Sequence, residues 1–304
     1  MTSIAVRPSA LRTWLLAVRP ATLPAAASGV VVGLGAALAV GAAFRLDTAL
    51  GCLAVALLLQ VVANLANDLS DFRRGADTPD RAGPTRVASA GLVTERQLEV
   101  AIGLTIGVAA LIGLWLAWVG GPALVGLGAL AIVAALAYTG GPWPYGYRGL
   151  GEVFVFVFFG LVAVVGTAYL QALRLEPLFV VAAIPVGALT TAILVVNNLR
   201  DIPTDSAVGK RTLAVMLGRR ATAAEYGFLL ATAFAVPIAL LLAGFGIVQL
   251  LPLCAVPLVG PLLRTVRDFR EPRQLNPVLK GTARLALVFG LLFAFALALR
   301  GWPA

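Results

Sequence analysis

The sequence predicts an all-α, polytopic membrane protein, and three observations carry that prediction. Of the 304 residues, 60% are hydrophobic and only 12% are charged, where soluble domains carry about 25% charged residues; the mean hydropathy is +0.96. Apolar stretches of roughly 20 residues, the length a helix needs to cross a bilayer, recur along the chain. None alternates over about 10 residues as the strands of a membrane barrel do.

Nine such stretches are expected to form helices, at about 21–43, 49–67, 98–118, 122–138, 152–172, 178–199, 224–243, 247–264 and 283–300, in a single domain covering 1–304. Ahead of the first, residues 1–20 carry Arg7, Arg12 and Arg19 and no compact apolar core with a cleavage site, so they do not read as a cleaved signal peptide. Residues 8–19 are either an interfacial amphipathic helix turning at Arg19-Pro20 into the first span, or simply a basic anchor. The second span runs out through "NLANDLSDFRRGADTPDRAGPTR", residues 64–86; the fifth opens at Glu152 in "GLGE"; the sixth, "LFVVAAIPVGALTTAILVV", ends in "NNLRDIPTDSAVGKRTLAV". The loop before the ninth, "RTVRDFREPRQLNPVLKGTAR", is basic and interrupted by proline, and reads either as a cap over one side or as a topogenic loop.

Basic residues give the orientation, because cytoplasmic loops retain Lys and Arg. With the N-terminus inside, only Arg45, Arg174 and Arg300 of the 23 Lys and Arg residues fall on the far side. The expected location is the plasma membrane, with the N-terminus and both acidic loops cytoplasmic and the C-terminus opposite. The net charge of +9 sits beside membrane spans, where membrane lipids with anionic headgroups and phosphorylated substrates are better partners than nucleic acid. Cys52 and Cys254 lie in or beside apolar spans, which argues against a disulfide framework and a zinc site. The chain has no histidine, so any acid, base or metal site must use carboxylates.

Two acidic clusters fall on the same side of the membrane. Asn64, Asp68 and Asp71 share one helical face, with Asn67 beside them; Asn197, Asp201 and Asp205 repeat the spacing, with Asn198 adjacent. One Asp or Asn at a helix end is commonly a solvated terminus, but two matched clusters at spans that penalise ionisable groups mark a cavity or pathway. Oxygen donors without His or Cys suit Mg²⁺, which binds through one or two carboxylates plus substrate phosphates. The flanking Arg73, Arg74, Arg81, Arg86, Arg200, Lys210 and Arg211 can hold phosphate oxygens, with Arg86 and Lys210 set by turns at Gly83-Pro84 and Gly209.

"NDLSDFRRGADTPDRAGPTR" and "NNLRDIPTDSAVGKRTLAVMLG" resemble the two aspartate-rich motifs of the UbiA superfamily of intramembrane prenyltransferases. "RPATLPAAASGVVVG" and "YTGGPWPYGYRGLGEVFVFVFFGLVAVVGTAYLQ" are similar to the branch that prenylates 1,4-dihydroxy-2-naphthoate in menaquinone biosynthesis. Two positions depart from the pattern: Leu69 stands where tyrosine is frequent, and Pro203, inside the acidic run, is expected to break the helix and bring Asp205 in from a loop.

The resemblance implies a UbiA-type fold of about nine helices around a central cavity. It also implies transfer of a polyprenyl group from an all-trans polyprenyl diphosphate to 1,4-dihydroxy-2-naphthoate, with loss of CO₂ and diphosphate, giving demethylmenaquinone. Asp68, Asp71, Asp201 and Asp205, with Asn64, Asn67 and Asn197 or Asn198, would hold Mg²⁺ and the diphosphate; Lys210, Arg81, Arg86 and Arg211 would neutralise the departing oxygens. Tyr138, Tyr145, Phe154, Phe158 and Tyr169 either face an allylic cation or are packing and interfacial aromatics. Glu152 orients the acceptor hydroxyl or serves as a base, or else is a helix-start carboxylate favoured by the dipole. Two alternatives stay open: another acceptor within the superfamily (4-hydroxybenzoate, homogentisate, haem or a sugar phosphate), and transport of a cation or phosphate, since paired acids in a helix bundle also mark ion paths.

Overall fold

Ser9 starts the first helix, α1 (Ala10–Val18), by accepting a hydrogen bond from the Arg12 backbone N–H. Arg19 then adopts left-handed geometry (φ 54°), and Pro20 leads through one 3₁₀ turn into α2 (Leu23–Ala39). The expected turn at Arg19-Pro20 is therefore present. The structure, a computed structural model, describes residues 8–75, 82–83 and 86–300. Its further helices are α3 (Leu46–Arg73), α4 (Glu95–Gly120), α5 (Ala123–Ala137), α6 (Gly151–Ala172), α7 (Pro177–Ala207), α8 (Leu213–Phe245), α9 (Ile247–Asp268) and α10 (Leu275–Arg300).

Eight helical segments are long and apolar enough to cross a membrane, α1 and α2 counting as one, and α5 is a shorter apolar ninth among the described residues. The expected spans are thus recovered, with shifted ends. Helix α8 begins at Leu213 rather than 224, with a kink at Gly218 (φ 76°), and α10 at Leu275 rather than 283, because Arg219, Arg220 and Lys280 dilute the hydropathy of their first turns. The first half of α9 (Ile247–Leu258) is a 3₁₀ helix containing Pro252 and Pro257, residues that cannot sustain the i→i−4 ladder.

Helix α2 sits at the centre, against α10, α6, α3 and α7, while α7 packs along α8. Glycines make these approaches close. A Cβ on Gly33 would lie 2.6 Å from the Val164 carbonyl oxygen of α6, one on Gly160 2.6 Å from Gly187 Cα of α7, and one on Gly35 would strike the backbone of Ala294 on α10. Gly35→Leu is accordingly expected to remove the folded, monodisperse protein from a detergent extract. Gly103→Leu on the outer face of α4, where a Cβ meets nothing within 4 Å, leaves it in place.

Helix α5 packs on α3 and α4, whereas α6 packs on α2 and α7. Between these two sets lies a cavity of about 690 Å³. It is open to polar side chains at one end of the bundle and apolar beyond.

Candidate active site

The open end is built from the last turns of α3 and α7, the 138–150 connection, the start of α10 and the Val18–Thr22 turn. The helical spacing of the first cluster does what the sequence implies: Asn64, Asp68 and Asp71 are all buried on one side of α3. Asp71 lines the cavity mouth, takes a 2.9 Å ion pair from Arg86 and accepts a 3.0 Å hydrogen bond from the Tyr147 hydroxyl. Asp68 is turned to the loop behind it, accepting from the Val87 backbone N–H at 3.0 Å.

The second cluster differs from expectation in one respect. Pro203 does not break the helix: α7 runs through it to Ala207, and Asp205 is a helical residue. Near a helix C-terminus the neighbouring turns absorb the one lost hydrogen bond, so Asp201 and Asp205 do share a face. Asp201 is gripped at both oxygens by the adjacent Arg200, at 2.7 Å each, and Arg200 also donates to Asn197 at 2.8 Å and to Asn276 of α10 at 3.0 Å. Asn276 in turn donates to the Ala82 carbonyl at 2.9 Å, joining the loop after α3 to the end of α7 through α10.

Asp205 pairs with Lys210 at 3.3 Å, and its other oxygen finds no hydrogen-bond partner among the described residues. Gly209, with φ +73°, makes the turn that brings Lys210 back, and the ammonium lies 5.3 Å from the Tyr147 ring centre.

Other expected residues fall into different places. The Asn64 amide donates to Val18 O at 2.8 Å and Thr22 Oγ1 at 3.0 Å and accepts from Gln60, so it brackets the α1–α2 turn rather than standing as a metal donor. Asn67 lines the cavity and accepts from Thr139 at 2.9 Å. Arg211 is exposed and meets the site only through its backbone N–H, which donates to Tyr147 O; its expected contact with phosphate is not prepared. Arg81 lies outside the described residues.

Tyr145 is buried rather than interfacial: its hydroxyl donates to Ala134 O at 2.8 Å, and its ring stacks on Phe154 at 3.9 Å between centroids. Tyr138 lines the cavity beside it, while the Tyr169 hydroxyl donates to Gly120 O at 2.7 Å at the far end. Glu152 accepts from Asn198 at 2.8 Å; the second carboxylate oxygen and the Asn198 carbonyl oxygen have no hydrogen-bond partner among the described residues.

Tyr147, Asn276 and Lys280 also face or support the mouth; the sequence singles out none of them individually, although Tyr147 lies in the similar stretch at 138–171 and the other two in the basic loop before α10. Burial, and secondly the Asp71 charge, push the Tyr147 phenol well up, so it remains an O–H donor. Tyr147→Phe is therefore expected to cost about tenfold in activity through a freer Asp71 carboxylate. The ratio of wild type to variant should stay flat from about pH 7 to pH 9, since neither range nor shift brings a tyrosinate. A rate-versus-pH series on both proteins checks this.

Among the described residues no three His, Cys, Asp or Glu side chains converge to hold a metal. Instead, Asp71 and Asp201 face one mouth from separate helices, with the half-unpartnered Asp205 behind. These hard-oxygen donors fit Mg²⁺ only when water and substrate phosphates complete its shell, which is its usual mode.

The model of the UbiA prenyltransferase family matches residues 27–280. A 1,4-dihydroxy-2-naphthoate octaprenyltransferase of Mycobacterium tuberculosis is 47% identical over 290 residues, covering 94% of this chain and 96% of the relative. The Escherichia coli protein of the same name is 40% identical over 308 residues, covering 97% and 98%. Among solved structures, a UbiA homolog from Aeropyrum pernix superposes with a TM-score of 0.69 at 18% identity, covering 88% of this chain and 96% of that one. A UbiA homolog from Archaeoglobus fulgidus bound to GPP and Mg²⁺ superposes with a TM-score of 0.64 at 13% identity, covering 94% and 99%.

Proposed function

The chain belongs to the UbiA prenyltransferase family, and on that premise we propose that it is a Mg²⁺-dependent 1,4-dihydroxy-2-naphthoate polyprenyltransferase of the plasma membrane, its 304 residues acting as one domain. The observation that carries the reading is the two-part cavity. Carboxylates and cations from α3 and α7 surround its mouth, and a hydrocarbon-lined interior continues from them. That is the shape of a lipid diphosphate. An ion transporter would have no use for the apolar part, and would place its acids nearer the bilayer midplane.

Asp71 and Asp201 would hold Mg²⁺ from opposite sides of the mouth, with Asp68 and Asp205 behind them. When bound, the ion neutralises the diphosphate and makes it a leaving group. Arg86, fixed by Asp71, and Lys210, fixed by Asp205, present positive charge toward the same oxygens and stabilise the negative charge that grows as the allylic C–O bond breaks. The electron pair of that bond leaves with the diphosphate, and the prenyl carbon takes the pair from the naphthoate ring. Loss of the carboxyl as CO₂ returns its bonding pair to the ring. Tyr138, Tyr145, Phe154 and Phe158 exclude water from the cation and offer ring faces to it.

The mouth would open to the cytoplasm, where most basic residues lie. The relatives named as naphthoate enzymes at 40% and 47% identity support that acceptor over other aromatic rings. Purified protein given a labelled all-trans prenyl diphosphate should form prenylated product with 1,4-dihydroxy-2-naphthoate and Mg²⁺. It should form none with 4-hydroxybenzoate or with chelator present. Product from the benzoate alone would remove the acceptor assignment, and product in chelator the metal.

A further inference from the structure

We propose that the outer surface where α8 begins and α9 ends binds the headgroup of an anionic phospholipid, held by Arg220, Arg264 and Arg267. None of the three lines the central cavity. Two close contacts wedge the end of α9 between its neighbours. A Cβ on Gly227 of α8 would lie 3.7 Å from the Leu263 side chain, and one on Gly281 of α10 would lie 2.6 Å from that of Leu262. Arg219 of α8 fastens the join, donating to the Arg267 carbonyl oxygen at 3.2 Å and to that of Phe269, with its guanidinium over the Phe269 ring. Arg220 stands seven residues before Gly227 and so on the same face of α8. Because α8 and α9 run antiparallel, that sets it beside the last turn of α9, which carries Arg267.

All three arginines are exposed, and none has an ion pair or a side-chain hydrogen bond among the described residues. Against them the last turn of α9 sets a single acid, Asp268. Arg73 of α3, by contrast, is neutralised by Glu95 and Glu99 of α4. A long basic side chain at the end of a span ordinarily extends toward water. Arg264 does the opposite: its guanidinium folds back along α9 to within 3.8 Å of where a Gly260 Cβ would stand, one turn nearer the hydrocarbon. A cation in that position is met by the phosphate of a lipid whose acyl chains cover Phe228 and Val256, both exposed further along α8 and α9. A phosphate free in water gains nothing from the apolar half of this surface, and a zwitterionic lipid brings a cation of its own.

The test is thermal denaturation of the detergent-purified full chain, titrated with a short-chain phosphatidylglycerol, the matching phosphatidylcholine or glycerol 3-phosphate. It compares wild type, Arg264→Gln/Arg267→Gln, Arg220→Gln and a control, Arg12→Gln/Arg96→Gln. The control removes two exposed bases at the starts of α1 and α4, on the same end of the bundle, so a general loss of charge is matched. Phosphatidylglycerol is expected to raise the wild-type midpoint saturably, and the other two additives to leave it in place. Arg264→Gln/Arg267→Gln should need about 25-fold more of that lipid for the same rise, since each base near a membrane surface is worth about fivefold. Arg220→Gln should need about fivefold more, and the control should follow wild type. All four start from the same midpoint without lipid, because only exposed side chains change. No rise in wild type, an equal rise with phosphatidylcholine or with glycerol 3-phosphate, a wild-type response in both site variants, or equal weakening in the control would each overturn the proposal.

Discussion

Asp71→Asn is expected to lower kcat/KM for prenyl transfer by about two to three orders of magnitude, and to lower the thermal midpoint as well, because the buried Arg86 loses the charge of its Asp71 partner. The substitution keeps the shape and one acceptor oxygen, enough for either Tyr147 or Arg86 but not both, since these bond different carboxylate oxygens at 3.0 and 2.9 Å. It removes the negative charge that both fixes Arg86 and faces the mouth. The loss should fall on turnover as well as on donor binding, because the interactions that Asp71 organises strengthen as charge develops on the leaving group. Steady-state kinetics with varied donor separate the two. Asp201→Asn should behave alike if both helices serve one ligand, although it also loosens Arg200.

The largest effect on stability is expected at Arg200. This guanidinium is 2% exposed and is held by both oxygens of Asp201, by Asn197 and by Asn276. Removing one member of a buried pair leaves the other charge uncompensated, at a cost of about 3–5 kcal/mol. Asp201→Leu should therefore lower the thermal midpoint in detergent sharply, as should Arg200→Met. The double variant Arg200→Met/Asp201→Leu should recover much of the loss, since two apolar groups of similar volume replace the pair. It should nevertheless stay inactive. Stability and activity would then separate at a single pair of residues, which thermal denaturation beside the transfer assay can read.

Much of this site was legible in the sequence because its carrier is local. Asn64, Asp68 and Asp71, and Asn197, Asp201 and Asp205, lie one helical turn apart at the polar end of an apolar run. Helical spacing and hydropathy suffice to place them on common faces at one end of the bundle. Arg200 was legible as a base but not as the clamp on Asp201, because its partner Asn276 is 76 residues away and arrives on α10. Tyr147 was hidden for the same reason: only the folded 138–150 connection sets its hydroxyl against Asp71. Asn64 misled in the opposite sense, since its spacing matched the carboxylates while its amide serves the α1–α2 turn. Pro203 misled through local propensity, which the packing of α7 overrides.

The ends of α3 and α7 would hold one diphosphate with its Mg²⁺ between them. Calorimetric binding of a non-reacting prenyl thiolodiphosphate to wild type, Asp71→Asn, Asp201→Asn and the double variant, each with and without Mg²⁺, tests it most directly. Wild type is expected to bind only with Mg²⁺, either single variant to lose binding strongly, and the double variant to be no worse than the product of the two. Binding that persists in chelator, or that Asp201→Asn leaves unchanged while Asp71→Asn abolishes it, would contradict a shared site.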